Sequence, residues 1–301
     1  MDLSQAKIAV TGATGFLGGY VVKKLLRRGA HVIAVVRNPE KAAEMSRGGV
    51  EIRRADLADR PALTEAFRGC DAVIANAAVI ALWNPDQTMR SNLEGARNVF
   101  HAMADAGVKR ALAVSSTSAY PSGLGLRDET TDLRTEKKFL HILNAYGQSK
   151  ALAERTAWEI SAQRGVVLTT VRPCGITASD DQILARYLDR LLRFRIVPLP
   201  IGTVIGLSHP ADVAEALCLA LEQSEVSAGK AYNLQGCTVS LWRLAEAWRK
   251  AGGYPRRVRI PVPVPYAVRF DDTKVRRELG WVPRSLEQLC EDAAGAKQRF
   301  Q

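Results

Sequence analysis

The sequence lacks the features of several protein classes. None of its apolar runs approaches the roughly 20 residues that a membrane-spanning helix needs, and it contains neither an internal repeat nor a low-complexity linker. Its five cysteines are odd in number and lack the paired spacing of a zinc or redox site. The first residues show no basic segment followed by an apolar stretch. We therefore expect a cytoplasmic protein with reduced thiols, no metal and no membrane partner.

A nucleic-acid partner is disfavoured by the distribution of charge. Lysine and arginine number 42 against 31 acidic residues, a formal net charge of +11. The basic residues are spread along the chain and are not interleaved with aromatic residues, which make up only 6% of it. We expect a solvated basic surface that favours small anionic ligands.

Composition and length are those of an ordinary globular protein. Hydrophobic residues make up 47% and charged residues 24% of the 301 residues. A chain of this length can bury a large core, either as two domains or as one α/β domain with an appendage.

The first half of the chain alternates buried strands with helices. Six short apolar runs have the character of strands: 7–10, 31–36, 50–54, 72–75, 110–115 and 166–171. Helical spacing follows at 16–28, 61–67, 86–106 and 146–163. This alternation predicts an α/β fold, a Rossmann-type doubly wound parallel sheet that binds ligands at the carboxyl ends of its strands.

The pattern becomes irregular after residue 175, which predicts a smaller C-terminal α/β substrate-binding domain. We expect a Rossmann domain over 1–175, rejoined by 209–235, and a smaller domain from 176–208 and 236–301. Within these segments we expect a basic helix at 182–194, a proline-rich connection at 198–200, strands at 203–207, 231–234 and 258–264, helices at 211–223 and 240–252, and a last helix opened by a Ser285/Gln288 capping box.

A glycine-rich turn between the first strand and the first helix predicts a dinucleotide site. Glycine at positions 12, 15 and 18 lets the backbone turn tightly and approach a pyrophosphate at the helix N-terminus. The expected cofactor contacts in this turn are Gly12, Thr14, Gly15, Phe16, Leu17 and Gly18.

The end of the second strand favours NADP(H) over NAD(H). An NAD site places an acidic residue there to bind the ribose hydroxyls, whereas this chain has Arg37 followed by Asn38. Arginine can grip a 2′-phosphate with two hydrogen bonds. Asp56 and Leu57 follow the third strand and could reach the adenine, although a turn role explains Asp56 equally well. Residues Asn76, Ala77 and Ala78 follow the fourth strand, where small side chains suit either a passing cofactor or tight packing.

Three further residues predict proton transfer. Tyr146 and Lys150 lie four residues apart, on one face of a predicted helix. A free phenol has a pKa of about 10, so a tyrosine that works near neutrality needs a cation to favour its phenolate. Lys150 can supply that charge and bind the nicotinamide ribose, while Ser116, after the fifth strand, would bind the substrate oxygen. We expect Ser116, Tyr146 and Lys150 to be catalytic.

These motifs together resemble the extended branch of the short-chain dehydrogenase/reductase superfamily, also called the NAD-dependent epimerase/dehydratase family. The resemblance covers essentially the whole chain and includes Asn92-Leu-Glu-Gly95, Arg172-Pro173, His209-Pro-Ala-Asp212 and Lys274 to Pro283. It implies that Ser116, Tyr146 and Lys150 form the catalytic triad, that Asn92 shapes the helix behind the site, and that Asp212 caps the following helix. It also implies that Pro173, Gly175 and Ile176 approach the nicotinamide.

Residues 36–39 look most like the NADP-dependent reductases similar to dihydroflavonol reductase and cinnamoyl-CoA reductase. Asn76 stands where relatives often have histidine, and residues 175–181 lack the frequent Tyr-Gly-Pro. Substrate contacts in that segment therefore cannot be transferred from the family.

Three functions remain open at this point. The first is an NADP(H)-dependent oxidoreductase that reduces a carbonyl or oxidises an alcohol, with the apolar run 79–83 lining a substrate pocket or merely packing. The second is a nucleotide-sugar epimerase or dehydratase with the same triad and a bound NAD(P), in which Arg186, Arg190 and Arg193 could meet a diphosphate or form a solvated face. The third is a non-catalytic dinucleotide sensor, which the intact triad disfavours. The partner in each case is a small molecule, and a homodimer is compatible with the sequence.

Overall fold

The computed structural model describes residues 1–79, 84–121, 123–134, 141–178, 188, 192, 194, 196–252 and 258–295. In chain order the strands are β1 (Lys7–Thr11), β2 (His31–Val36), β3 (Glu51–Arg54), β4 (Ala72–Ala75), β5 (Arg110–Val114), β6 (Gly125–Arg127), β7 (Val167–Pro173), β8 (Gly175–Ile176), β9 (Ile196–Ser208), β10 (Ala231–Leu234), β11 (Cys237–Ser240) and β12 (Val258–Phe270).

The helices alternate with these strands over much of the chain. They are α1 (Phe16–Arg27), α2 (Ala43–Arg47), α3 (Arg60–Phe67), α4 (Pro85–Asp105), α5 (His141–Arg164), α6 (Pro210–Glu222), α7 (Ser224–Ser227), α8 (Leu241–Ala251), α9 (Thr273–Leu279) and α10 (Leu286–Gly295). Among the described residues, none of these helices is both long and apolar enough to cross a bilayer.

Seven strands form a parallel sheet in the order β10-β7-β5-β4-β1-β2-β3. The chain winds outward from β1 to β3 on one side and from β4 to β10 on the other. The direction of winding therefore reverses between β1 and β4, and the crevice at their carboxyl ends is where such sheets bind ligands. The predicted Rossmann-type doubly wound sheet is confirmed.

Two apolar cores cover the faces of this sheet. One face packs against α1 and α6 through Val21, Leu25 and Leu217, and the other packs against α3, α4 and α5 through Leu63, Met103 and Ile160. All of these side chains are buried. The sheet is thus held rigid from both sides, and its strand ends are fixed in position.

Local sequence signals begin several of the helices. Asp59 accepts a hydrogen bond from the Ala62 amide and caps α3, and Asn84 accepts one from the Gln87 amide and caps α4. The predicted capping box of α10 is present, since Ser285 and Gln288 bond to each other's backbone amides.

The cap of α6 differs from the prediction. His209 occupies the N-cap position, and its Nδ1 accepts from the Ala211 amide at 3.1 Å. Asp212 lies inside the first turn and instead accepts hydrogen bonds from the backbone amide and guanidinium of Arg284. The expectation that Asp212 caps the helix is wrong, because the helix starts at Pro210 and the cap position precedes it.

A second sheet has the order β11-β9-β12-β6, with β8 also paired to β9. A third core lies beside it, where Leu244 and Trp248 of α8 meet Leu289 of α10. Strand β6 belongs to the segment between Ser116 and Tyr146 and pairs with β12, so the second sheet includes part of that segment.

The predicted proline-rich connection at 198–200 is wrong. These residues belong to β9, which has 13 residues and pairs with β12, itself also 13 residues long. Because the prolines recur at every second position, their missing N–H groups all fall on one side of each strand. The residues between them still donate to the other side.

Candidate active site

The glycine turn approaches other backbone segments too closely for side chains. Gly12 has φ +65°, the left-handed region that glycine adopts readily. A Cβ on Gly18 would overlap the carbonyl oxygen of Gly12. Gly15 is the N-cap residue of α1 and, having no side chain, provides no side-chain acceptor for the first amides of the helix. The first amides of α1 therefore point towards a position that suits an anion.

The glycine turn and the end of β4 lie against each other. The hydroxyl of Thr11 accepts hydrogen bonds from the amides of Asn76 and Ala77, at 3.1 and 3.2 Å. Asn76 donates through Nδ2 to the carbonyl of Gly12 at 3.3 Å. A Cβ on Gly12 would lie 2.8 Å from the Cα of Ala77. The glycine turn and residues 76–78, two segments of the expected cofactor site, are thus in contact.

The remaining residues of the turn differ in exposure. Leu17 is buried in the core, whereas Thr14 is exposed and Phe16 is 37% exposed with its ring edge-on to Tyr20. Thr14 and Phe16 are therefore accessible to a bound molecule, and Leu17 anchors α1 beneath them.

Arg37 extends into solvent at the end of β2. Its side chain is 84% exposed, and its Nε lies 4.0 Å from a carboxylate oxygen of Asp56. Asn38 accepts from the Glu40 amide and caps a short 3₁₀ helix, Pro39–Ala42. Asp56 accepts from the Ala58 amide, and Leu57 packs against Gly95 of α4. A cationic side chain is therefore available beside the predicted adenosine site.

Ser116 and Tyr146 lie in contact. The short 3₁₀ helix Thr117–Ala119 packs so closely on α5 that a Cβ on Gly147 would overlap the Ser118 carbonyl oxygen. Ser116 accepts a hydrogen bond from the Ser118 amide at 3.1 Å and shares another with Tyr146. Burial raises the pKa of Tyr146 to about 12, although the Ser116 bond acts in the opposite direction. At neutral pH this phenol is a proton donor.

Lys150 lies one turn further along α5, and its side chain is buried. Its Nζ donates to the carbonyl of Val114, at the end of β5, at 2.5 Å. Burial lowers the pKa of Lys150 to about 8, and the carboxylate of Glu154 works against that shift. The ammonium form therefore predominates at neutral pH by a narrow margin.

Asn92 bridges two segments behind the triad. Its side chain bonds to both backbone groups of Val79, at 2.7 and 3.0 Å, and donates to Ser149 at 2.9 Å. Ser149 in turn donates to the carbonyl of Tyr146 at 2.7 Å. These contacts fix the turn of α5 that carries Tyr146.

Pro173, Gly175 and Ile176 follow the end of β7. Pro173 pairs with Leu234 of β10, while Gly175 and Ile176 form β8 and pair with Leu207 and Ser208. The backbone therefore passes from the seven-stranded sheet to the second sheet at this point.

A pocket lies between α4, α5 and the carboxyl ends of β1, β4 and β5. It has a volume of about 50 Å³, and its lining includes Thr11, Ala77, Asn92 and Lys150. It thus links the glycine turn to the lysine of the predicted triad. The described residues contain no group of three or more histidine, cysteine, aspartate or glutamate side chains that could hold a metal ion.

Sequence reasoning overlooked a buried ion pair below Lys150. Glu154 of α5 and Arg172 of β7 meet at 2.6 Å, with side chains only 1% and 7% exposed. Arg172 also donates to the hydroxyl of Tyr120 at 2.6 Å. The spacing of Glu154 four residues after Lys150 was the signal available in the sequence.

Several predicted features lie wholly or partly outside the described residues. These are most of the run 79–83, the basic helix at 182–194 and Arg186, Arg190 and Arg193 within it.

The chain matches one family model over residues 8–234, the model described as "NAD dependent epimerase/dehydratase family". The relatives of the chain include several cinnamoyl-CoA reductases. Cinnamoyl-CoA reductase 2 of Medicago truncatula is 33% identical over 240 residues, which cover 73% of this chain and 69% of that enzyme. Cinnamoyl-CoA reductase 1 of Petunia hybrida is 33% identical over 183 residues, or 57% of this chain and about half, 55%, of that enzyme.

A third relative matches almost end to end. Tetraketide alpha-pyrone reductase 1 of Arabidopsis thaliana is 28% identical over 331 aligned positions, which cover 97% of this chain and 95% of that enzyme.

Two solved structures share the fold. UDP-glucose-4-epimerase from Stenotrophomonas maltophila, with bound NAD, superposes with a TM-score of 0.84 at 22% identity and covers 99% of this chain and all of that one. The yeast methylglyoxal/isovaleraldehyde reductase Gre2, complexed with NADPH, has the same TM-score at 18% identity and covers 98% of each chain.

Proposed function

Because the chain belongs to the NAD-dependent epimerase/dehydratase family, we propose that it is an NADP(H)-dependent oxidoreductase. In this proposal it reduces a carbonyl or oxidises an alcohol through Ser116, Tyr146 and Lys150. One observation carries the proposal. The Tyr146 hydroxyl is bonded to Ser116, and the Lys150 ammonium lies one turn away at the end of β5, beside the glycine turn.

The residues of the glycine turn fit a dinucleotide. The turn has no side chains at Gly12, Gly15 and Gly18, so its backbone is open to a pyrophosphate above the uncapped start of α1. Arg37 is exposed and can bind a 2′-phosphate, which an acidic residue at this place would repel. The two features together favour NADPH.

When bound, a nicotinamide cofactor supplies the hydride to a carbonyl carbon or accepts it from an alcohol carbon. The protein handles the accompanying proton. Ser116 and Tyr146 both bond the substrate oxygen, and Tyr146 donates its hydroxyl proton to that oxygen during reduction. The ammonium of Lys150 stabilises the phenolate that remains, until a proton from solvent restores the phenol. In alcohol oxidation the same proton moves in the opposite direction.

We also propose a division of labour along the chain. Residues 1–175 and 209–235 form the cofactor-binding part, and residues 176–208 and 236–301 form the substrate-binding part. Pro173, Gly175 and Ile176 lie at the passage between the two sheets, where a nicotinamide ring would meet its substrate. The kinship with the reductases named above supports a carbonyl compound as that substrate.

A nucleotide-sugar epimerase or dehydratase is the second candidate, since an epimerase structure matches this fold as well as a reductase structure does. The two functions differ in net cofactor consumption. Stoichiometric oxidation of added NADPH in a screen of carbonyl compounds supports the oxidoreductase. Conversion of a UDP- or dTDP-sugar without net oxidation supports the epimerase.

The triad is tested by replacing Tyr146→Phe. We expect a loss of at least a hundredfold in kcat with NADPH binding retained, because the proton donor is removed and the ring stays. Tyr232→Phe is a matched control, since the Tyr232 hydroxyl bonds Glu278 away from the triad, and its turnover should be unchanged. Full turnover in Tyr146→Phe would contradict the proposal, and NADPH binding without turnover in the native protein would indicate a sensor.

A further inference from the structure

Glu154 is a buried carboxylate that the proposed reaction does not use. It lies one helical turn after Lys150 on α5, and both side chains line the pocket between α4, α5 and the sheet. Residues four apart on a helix lie on the same face. The anion and the cation are thus both buried in the lining of one pocket, where charges act more strongly than they do in water.

The described surroundings of Lys150 contain few other charges. Helix α4 contributes Ser91, Asn92, Gly95 and apolar groups to the pocket, and the ends of β1, β4 and β5 contribute Thr11, Ser115, alanines and valine. None of these side chains is ionisable near neutrality. The remaining titratable groups are Tyr146 on the same helix and Arg172, which lies behind Glu154. Glu154 is thus the anion of this pocket lining.

The sheet holds the Glu154 carboxylate in a fixed orientation. Its Oε1 accepts from Arg172 Nη2 at 2.6 Å and from the Thr170 hydroxyl at 3.2 Å, both on β7. Trp158 adds a bond from its indole nitrogen at 3.4 Å. Burial alone would raise the pKa of Glu154, but the bonds and charge of Arg172 outweigh it and hold that pKa below its ordinary value. The carboxylate is therefore ionised and immobile.

The ion pair is itself anchored to the second sheet. Arg172 donates to Tyr120, whose hydroxyl donates to Asn233 at 2.8 Å. Asn233 donates in turn to the carbonyl of Asp271, beside the end of β12. A continuous buried network thus runs from the helix that carries Lys150 to the proposed substrate-binding part.

We propose that Glu154 is a positioning residue whose fixed carboxylate keeps Lys150 in its ammonium form while the Val114 carbonyl holds the Lys150 Nζ. This inference rests on the proposed function. Burial works against the ammonium, and Glu154 is the charged group that opposes it. Removal of the carboxylate therefore shifts Lys150 towards the neutral amine, which cannot stabilise the Tyr146 phenolate.

The test is the pH dependence of kcat/KM for NADPH, which reports ionisations of the free enzyme. The native enzyme should lose activity above about pH 8, where Lys150 loses its proton. In Glu154→Gln we expect the midpoint of this loss to fall by about one pH unit or more, while kcat on the acid plateau stays within a few fold. An unmoved midpoint, whatever the stability of the variant, overturns the proposal.

Two variants control for damage to the fold. Thr169 lies on β7, the strand that also carries Arg172, and donates a buried hydrogen bond to the Ser227 carbonyl. Thr169→Val removes this bond, and the midpoint of this variant should match that of the native enzyme. Glu154→Asp keeps the charge and should restore the midpoint. Should Glu154→Gln fail to fold, the double variant Glu154→Gln/Arg172→Met removes both partners of the ion pair, so that neither is left buried without the other. It should still show a lowered midpoint, and a native midpoint there counts against the proposal.

A second readout separates this inference from the proposed function. The difference in free energy of unfolding between Lys150→Met and its parent follows the titration of Lys150 without any turnover. This difference should begin to shrink near pH 8 in the native background and at least about one unit lower in the Glu154→Gln background. A lowered onset in an enzyme without oxidoreductase activity would retain Glu154 as the partner of Lys150 and reject only the proposed reaction.

Discussion

At the scale of single residues, Arg37 determines the expected cofactor preference. Its side chain is 84% exposed and meets Asp56 only at 4.0 Å, so the guanidinium is available for a phosphate. Charge-assisted hydrogen bonds contribute about 1.5–3 kcal/mol. We therefore expect Arg37→Ala to raise the KM for NADPH by about ten- to a hundredfold and to leave the KM for NADH within about twofold.

Arg47→Ala is the matched control for this substitution. Arg47 is also exposed and lies on the nearby helix α2, so its removal changes the net charge equally without touching the end of β2. Its KM for NADPH should stay at the native value. A native enzyme that uses NADH as well as NADPH would show that Arg37 has been misassigned.

The burial of Lys150 leads us to expect an effect on the stability of the protein as well. The pKa of Lys150 is 10.5 as a free side chain and about 8 in the folded protein. Between these pH values the unfolded chain binds a proton at Lys150 that the folded chain does not bind. The contribution of Lys150 to stability therefore rises with pH. Below pH 8 the buried ammonium costs about 3 kcal/mol, at 1.36 kcal/mol per pH unit.

We therefore expect Lys150→Met to be more stable than the native protein at pH 7, by about 2–3 kcal/mol, despite losing activity. Urea unfolding at pH 7 and pH 10.5 measures the effect, and the difference between the two proteins should vanish at the higher pH. A difference of the same size at both pH values would mean that burial does not lower the pKa of Lys150.

At this scale the sequence indicated the candidate residues but not their tertiary contacts. The spacing of Tyr146 and Lys150 predicted a shared helix face, and both residues lie on α5. The Ser116 hydrogen bond depends on the close packing of α5 on residues 117–119, and Glu154 of α5 pairs with Arg172 of strand β7. Both are tertiary contacts, which helical spacing does not reveal. The catalytic and cofactor roles themselves stay predictions.

At the scale of elements, two neighbouring glycines of α1 offer a controlled comparison. A Cβ on Gly18 would overlap the Gly12 carbonyl and lie 2.8 Å from Ala13, whereas a Cβ on Gly19 would meet nothing within 4 Å. We expect Gly18→Ala to displace the turn from α1 and weaken NADPH binding at least tenfold.

Gly19→Ala should bind NADPH normally and gain up to about 1 kcal/mol in stability, because alanine favours a helix over glycine. Calorimetric titration with NADPH and thermal unfolding distinguish the two variants. Equal binding by both would show that the turn tolerates a side chain at position 18.

Helices and parallel strands were predicted well because each buries a continuous apolar face. Strand β2 agrees at both ends with the predicted 31–36, and α4 differs by one residue at each end. Helix α5 starts at His141, five residues before the predicted start. The long strands β9 and β12 were predicted only in part, because their prolines resemble turn signals unless the alternating positions are compared.

At the scale of the whole molecule, Asp212 joins the C-terminal segment to the seven-stranded sheet. Its carboxylate accepts from the Arg284 amide at 2.9 Å and pairs with the Arg284 guanidinium, and its backbone carbonyl accepts from the Trp281 indole at 2.8 Å. We expect Asp212→Ala to destabilise the protein by about 1.5–3 kcal/mol, because it removes the buried carboxylate and its charge-assisted hydrogen bonds to the Arg284 amide and guanidinium.

Glu65→Ala provides the comparison for an ion pair on the surface. Glu65 pairs with Arg68, and both side chains are largely exposed, so its removal should cost less than about 1 kcal/mol. Thermal unfolding monitored by circular dichroism measures both variants. An effect of Asp212→Ala as small as that of Glu65→Ala would mean that the C-terminal segment is held by other contacts.

The architecture of the seven-stranded sheet was predictable, since alternating strands and helices allow few topologies. The second sheet was not, because it joins strands from residues 125–127, 196–208 and 258–270. Such distant pairings leave no local pattern in the sequence. The domain boundaries, the cytoplasmic location and the homodimer stay predictions.

The contact between Gly12 and Ala77 has an evolutionary consequence. The two residues are 65 positions apart, but a Cβ at Gly12 would lie 2.8 Å from the Cα of Ala77. A side chain at position 12 would have to displace the backbone at Ala77. Among homologous sequences position 12 should therefore stay glycine unless the backbone around position 77 is also remodelled.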